Sequence, residues 1–125
     1  MITTTQAKSD GLQILLNTEE HLLQLSKRSV SPDPELIFNP LIDILNVYFD
    51  SNETLICKIK LEYFNSSSSR SLLNLCKRLA SQRKKGCKIS VMWYHEKDDD
   101  DSREFGEDLQ DLIEMPVELI EVESF

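Results

Sequence analysis

The run Asn65-Ser66-Ser67-Ser68-Ser69-Arg70 is the segment of this sequence best suited to chemistry. A strand pattern ends at Phe64 and a helical pattern starts within the serines, so their hydroxyls stand at a helix N-terminus. Serine and asparagine belong there, because their side-chain oxygens satisfy amides that a helix leaves unpaired. One or two residues do that job, and four consecutive serines exceed it. The same free amides and the helix dipole also favour an anion. A phosphoryl group on one of these serines would bring about −1.5 to −2 charge and several acceptor oxygens to an edge open to another protein. It would block a partner presenting acidic or apolar surface and create a site for one presenting arginines. Spacing alone leaves capping and phosphorylation with nearly equal weight.

Other residues carry weaker signals. Asp98 to Asp101 could gather a hard cation, but the stretch lacks the alternating spacing and the glycine of a calcium loop. An acid-rich helix start that suits the dipole is the better reading, with a partner-facing role as a secondary idea. His21 and His95 are far apart in sequence, and His95, at a strand end, is expected at the surface. No acid–base pair and no phosphate-cradling or nucleophile-elbow motif is visible. No cofactor or metal is expected. Trp93 and Tyr94 read as packing residues, and the basic cluster Arg83, Lys84 and Lys85 is short. Cys57, Cys76 and Cys87 have no neighbouring ligand pattern and read as buried free thiols of a reducing cytoplasm.

The whole chain argues in the same direction. Its 125 residues suit one domain with its own core. Fourteen basic against 22 acidic residues give a formal charge of −8, which disfavours a nucleic-acid or anionic-membrane surface. No apolar run approaches the roughly 20 residues of a membrane span, and the polar N-terminus lacks a signal-peptide core. A cytoplasmic protein is expected, with residues 1–10 as a flexible N-terminal segment and 11–125 as a single domain.

The elements that must position the serines follow from periodicity. Leu12, Ile14 and Leu16 alternate, and His21 to Leu25 returns as a second strand after a turn over Asn17 to Glu20. Asp33-Pro34 fits a helix start, with Leu41, Ile44, Leu45 and Tyr48 at helical spacing, although Pro40 could delay the regular helix until after Asn39. Glu53 to Phe64 is the clearest strand, with Leu55, Cys57, Ile59, Leu61 and Tyr63 on one face and Lys58, Lys60 and Glu62 on the other. Such a strand lies in a sheet covered on one side. After the serines, Leu72, Leu75, Cys76 and Leu79 form a helical stripe that ends at Gly86. Cys87 to Tyr94 is a strand, Ser102 to Ile113 a helix with Phe105, Leu109, Leu112 and Ile113 inward, and Val117 to Val122 a last strand with Leu119 available to the core. The order β-β-α-β-α-β-α-β predicts an α/β domain: a mixed sheet of about five strands with three helices mainly on one face.

Against that frame, Leu61-Glu62-Tyr63-Phe64-Asn65-Ser66-Ser67-Ser68 resembles the "L-E-Y-x-N-[TS]-S-S" stretch of the SiaC family of bacterial regulatory phosphoproteins. The likeness continues through Leu72 and Leu73, Lys85-Gly86, Val91-Met92-Trp93-Tyr94, the acidic Asp98 to Asp101, Gly106-Glu107-Asp108 and Met115-Pro116. It spans residues 12 to 122 and is weaker before Phe38. The resemblance implies a STAS-like fold similar to anti-sigma-factor antagonists, and a regulatory protein, not an enzyme. It implies phosphorylation by a dedicated serine/threonine kinase and reversal by a PPM-type phosphatase. It also implies that the unphosphorylated form binds and activates a diguanylate cyclase, linking the switch to cyclic di-GMP. The family's acceptor follows the asparagine directly, which is Ser66 here, with Ser67 and Ser68 as alternatives. Threonine is commoner at that position. Asn65, Ser66, Ser67, Ser68, Ser69 and Arg70 would then meet the partner. Two other readings are an anti-sigma-factor antagonist in a partner-switching pathway and a small enzyme that holds a phosphorylated ligand on the serine tract.

Overall fold

A computed structural model describes residues 2–6 and 11–125 of the chain. The elements in order are β1 (Ile2–Gln6), β2 (Gln13–Asn17), β3 (Leu22–Ser29), α1 (Glu35–Phe49), β4 (Thr54–Phe64), α2 (Ser66–Lys84), β5 (Lys88–Glu96), α3 (Asp100–Ile113) and β6 (Val117–Val122). They build one mixed sheet in the order β1-β2-β3-β4-β5-β6. The first three strands form an antiparallel meander, and β3 to β6 run parallel. Each parallel step carries one helix. With the usual right-handed crossover, steps that all move the same way across a sheet place their helices on the same face. Neighbouring helices accordingly touch, α1 with α2 and α2 with α3.

The burial pattern agrees with one covered face. Leu55, Cys57, Ile59 and Leu61 of β4 and Ile89, Val91 and Trp93 of β5 meet Leu72, Leu75, Cys76 and Leu79 of α2 in the core. Complete burial of a leucine such as Leu75 stabilises by about 1.5 to 3 kcal/mol. Lys58 and Lys60 lie half-buried on the other face, with the Lys60 ammonium 4.8 Å from the Tyr94 ring centre. Burial pushes the Cys57 thiol up well above its ordinary range and the Cys76 thiol up to about 12. All three cysteines are free, and Cys87 is only partly buried.

The five expected strands and three helices are all present, and β1 adds a sixth strand. Within the stretch 1–10 expected to be flexible, Ile2–Gln6 pairs with β2, and residues 1 and 7–10 lie outside those described. Helix α1 starts at Glu35 and runs through Pro40, so the later start after Asn39 does not hold. Leu36 and Pro40 are both exposed, which leaves the carbonyl deprived of its amide on the solvent side, where water can hydrate it. Gly86 takes φ +106 just after the α2 cap, a conformation that suits glycine at C′.

Four side-chain expectations fail. Alternation along β4 places Tyr63 inward, yet it is exposed. A bulge opposite Lys27 and Arg28 pairs Lys27 with Leu61 but Arg28 with Tyr63. The extra residue flips the end of β4, so Phe64 turns toward the core and Tyr63 turns out under the Arg28 guanidinium. Leu112 and Ile44, both counted on core stripes, are exposed, because each lies at the margin of its helix's buried arc. Leu119, paired with Trp93, does reach the covered face at Gly106 of α3, and the edge position leaves it 38% exposed. His95 is only 4% exposed, since the alternation Ile89, Val91, Trp93 continues to it.

Candidate functional site

The serine tract opens α2 directly at the C-terminal end of β4. Asn65 is extended and caps the helix, its Oδ1 accepting from the Ser68 amide at 2.8 Å. The other end of the same side chain donates from Nδ2 to the Ser31 carbonyl at 3.1 Å. Its backbone amide donates to the Ser29 carbonyl at 3.0 Å. One asparagine thus fixes the helix start to the loop that follows β3.

The four serines have different fates. Ser68 is fully buried; its hydroxyl donates to the Ser29 carbonyl at 2.9 Å and accepts from the Ser29 hydroxyl at 2.7 Å. Ser69 donates to the Ser66 carbonyl at 2.6 Å and is partly buried. Ser66 and Ser67 are exposed, as is Arg70 one turn on. The structure therefore sets Ser66, Ser67 and Arg70 on the surface, and ties Asn65 and Ser68 into the frame. Because Asn65 takes the Ser68 amide, the amides of Ser66 and Ser67 are left at the positive end of the helix.

Beside them lies an open cleft of about 360 Å³. Asn65, Ser66 and Ser69 form one wall, and Asp99, Asp101 and Phe105 form the other. The second wall is the start of α3, where Asp99 is the N-cap and its Oδ1 accepts from the Ser102 amide at 3.0 Å. The acidic run Asp98 to Asp101 is thus the opening of a helix, as its composition suggested. Among the described residues no group of three or more His, Cys, Asp or Glu could hold a metal ion. An aromatic cluster underlies the cleft: Phe64, Trp93 and Phe105 have ring centres 5.0 to 5.6 Å apart. Trp93 is anchored by its Nε1, which donates to the Ser102 carbonyl at 3.0 Å.

The approach of α2 and α3 was not read from the sequence. Its signal is topological: β4 and β5 are adjacent and parallel, so the helices that leave their C-terminal ends start side by side. Ser29 and Ser31, which hold the cap, were also missed, since their partners lie 34 to 39 positions away.

Neither histidine lines the cleft. His21 is bonded to Tyr48 at 2.7 Å. The Tyr48 hydroxyl spends its one proton on the Thr54 carbonyl, so the His21 Nδ1 is the donor in that pair. His95 Nδ1 faces the Glu96 carbonyl at 3.2 Å. Ser66 therefore has no imidazole at hand to make it a nucleophile. It is instead an accessible hydroxyl at a helix N-terminus.

The family model for the SiaC family regulatory phosphoproteins matches residues 5–122. A comparison with curated protein sequences gives no match. Among solved structures, the chain is similar to SiaC of Pseudomonas aeruginosa, with a TM-score of 0.86 and 15% identity over 98% of this chain and 99% of that one. It matches the crystal structure of the diguanylate cyclase SiaD in complex with its activator SiaC, from the same organism, equally well, at 0.86 and 16% over 96% and 99%. Apo-SiaC from that organism gives 0.83 and 16% over 96% and 98%. At these identities the likeness is one of fold.

Proposed function

This chain belongs to the SiaC family of regulatory phosphoproteins, and on that premise we propose that Ser66 is the acceptor of a phosphorylation switch controlling the binding of a protein partner. Family membership carries a regulatory role, not a catalytic one. The observation that supports Ser66 is the split within the tract. Ser68 is buried and doubly bonded to Ser29, so a kinase would have to unwind the start of α2 to reach it. Ser66 stands exposed at the first position of the helix, on the rim of the cleft. Ser67 is also exposed but does not line the cleft.

A phosphate on Ser66 would meet the free amides of α2 on one side and Asp99 and Asp101 across the cleft. Helix dipole and amides favour it, whereas the two carboxylates oppose its entry. The modification therefore changes both the shape and the charge of the cleft. In our reading the unmodified cleft, with Ser66, Ser67 and Arg70 around it, docks and activates a partner of the diguanylate cyclase class, as SiaC does with SiaD. A dedicated serine/threonine kinase adds the phosphate and a PPM-type phosphatase removes it, in the cytoplasm. No helix among the described residues is long and apolar enough to cross a membrane.

The test compares Ser66→Ala, Ser66→Asp and protein carrying phosphoserine at 66 for binding to a diguanylate cyclase of the same organism. Binding retained by Ser66→Ala and lost with phosphoserine is expected. Equal binding by all three forms would remove Ser66 from control of docking.

A further inference from the structure

Helix α1 carries more apolar surface than its packing uses. Phe38, Leu41, Leu45 and Tyr48 point into the core. On the outside, Leu36 is 73% exposed, Val47 69% and Ile44 42%, and Pro40 is exposed among them. At 100° per residue these four positions fall within about 80° of the circumference and run about 16 Å along the axis. An apolar arc wider than the core-facing stripe leaves surface to be covered, and a contiguous apolar patch marks an interaction surface.

The charges on α1 and its flanking turns have one sign. Between Ser29 and Lys58 the chain contains no Lys or Arg, whereas Asp33, Glu35, Asp43 and Asp50 stand on or beside α1. Glu35, Asp43 and Asp50 are exposed. Arg78 of α2 reaches α1 at Asn46, where its Nε donates at 2.8 Å.

We propose that this face of α1 seats an amphipathic helix of a partner protein, one whose apolar side chains are flanked by Lys or Arg. Apolar anchors at helical spacing fit the stripe, and basic flanks meet Glu35 and Asp43. A second copy of the chain fits worse. Two-fold pairing sets the same face against itself, so Glu35 and Asp43 would meet a helix of their own sign. Four side chains also cover far less than the roughly 800 Å² per partner of a stable interface, which suits one docked helix better than a dimer. The proposal does not depend on which serine is modified.

The test uses ¹⁵N-labelled protein and two synthetic 18-residue amphipathic helices, one of leucine and lysine, the other of leucine and glutamate. With the lysine peptide, amide shifts should cluster on Leu36, Asn39, Asp43, Ile44 and Val47, and the glutamate peptide should give none. Val47→Asp, an exposed substitution, should weaken the lysine peptide about tenfold, and Leu112→Asp on α3 should leave it unchanged. No shifts with the lysine peptide, equal binding of both peptides, or shifts centred on α3 would overturn the proposal. So would a dimer in sedimentation velocity that Val47→Asp abolishes, because a second copy would then be the occupant.

Discussion

Ser29 and Ser68 close a buried pair in which the Ser68 hydroxyl donates to the Ser29 carbonyl at 2.9 Å and the Ser29 hydroxyl donates back to Ser68 Oγ at 2.7 Å. The pair joins the end of β3 to the first turn of α2, and it separates a structural serine from the exposed Ser66 two residues earlier. Ser68→Ala takes the acceptor from the buried Ser29 hydroxyl, while the Ser29 carbonyl keeps the Asn65 amide, and should cost about 1 to 3 kcal/mol. Ser66→Ala should stay within about 0.5 kcal/mol, as exposed substitutions do. Urea denaturation of the two variants checks the contrast.

Asn65 supplies both a cap acceptor and a donor to Ser31. Asn65→Ala should therefore destabilise by about 1 to 2 kcal/mol. Asn65→Asp should fall between wild type and alanine, since it keeps the acceptor but loses the donor. Thermal unfolding of the three proteins gives the order.

Gly106 brings α3 against the sheet. A Cβ there would stand 2.6 Å from Trp93 Cδ1 and 2.7 Å from Leu119 Cδ2. The leucine tip can yield, but Trp93 is fixed by Ser102. Gly106→Ala should cost about 1 to 3 kcal/mol through overpacking, accompanied by a change in tryptophan fluorescence.

The buried thiols set a pH window. Cys76 is pushed from 9.0 to about 12 and Cys57 also rises, so both stay neutral in the fold while unfolded thiols ionise from about pH 9. The folded state then holds more protons than the unfolded one, and stability falls as pH rises from about 9 toward 12. Urea midpoints at pH 7.5, 9 and 10.5 should show this decline, with a shallower slope in Cys76→Ala. At pH 8 a thiol reagent should label Cys87 in the native protein and leave Cys57 and Cys76 intact.

The sequence shows most of the frame because β4 and α2 each display one clean period, and a helix start at the serines follows from where the two periods meet. The inward Phe64 was not legible, since the bulge that turns it depends on pairing with Lys27 and Arg28 in another strand. His95 could have been placed inward by counting twos from Ile89 through Trp93. The cleft itself required two distant helix starts to be brought together, and single-segment periodicity carries no such information. The acidity of Asp99 and Asp101 is plain in the sequence, but their place opposite Ser66 comes from strand order.

The most direct measurement maps phosphate on the protein purified from its own host, by peptide mass spectrometry with and without phosphatase treatment. A single phosphate on Ser66 that phosphatase removes is the predicted result. A phosphate confined to another residue, or none under any growth condition, would contradict the switch.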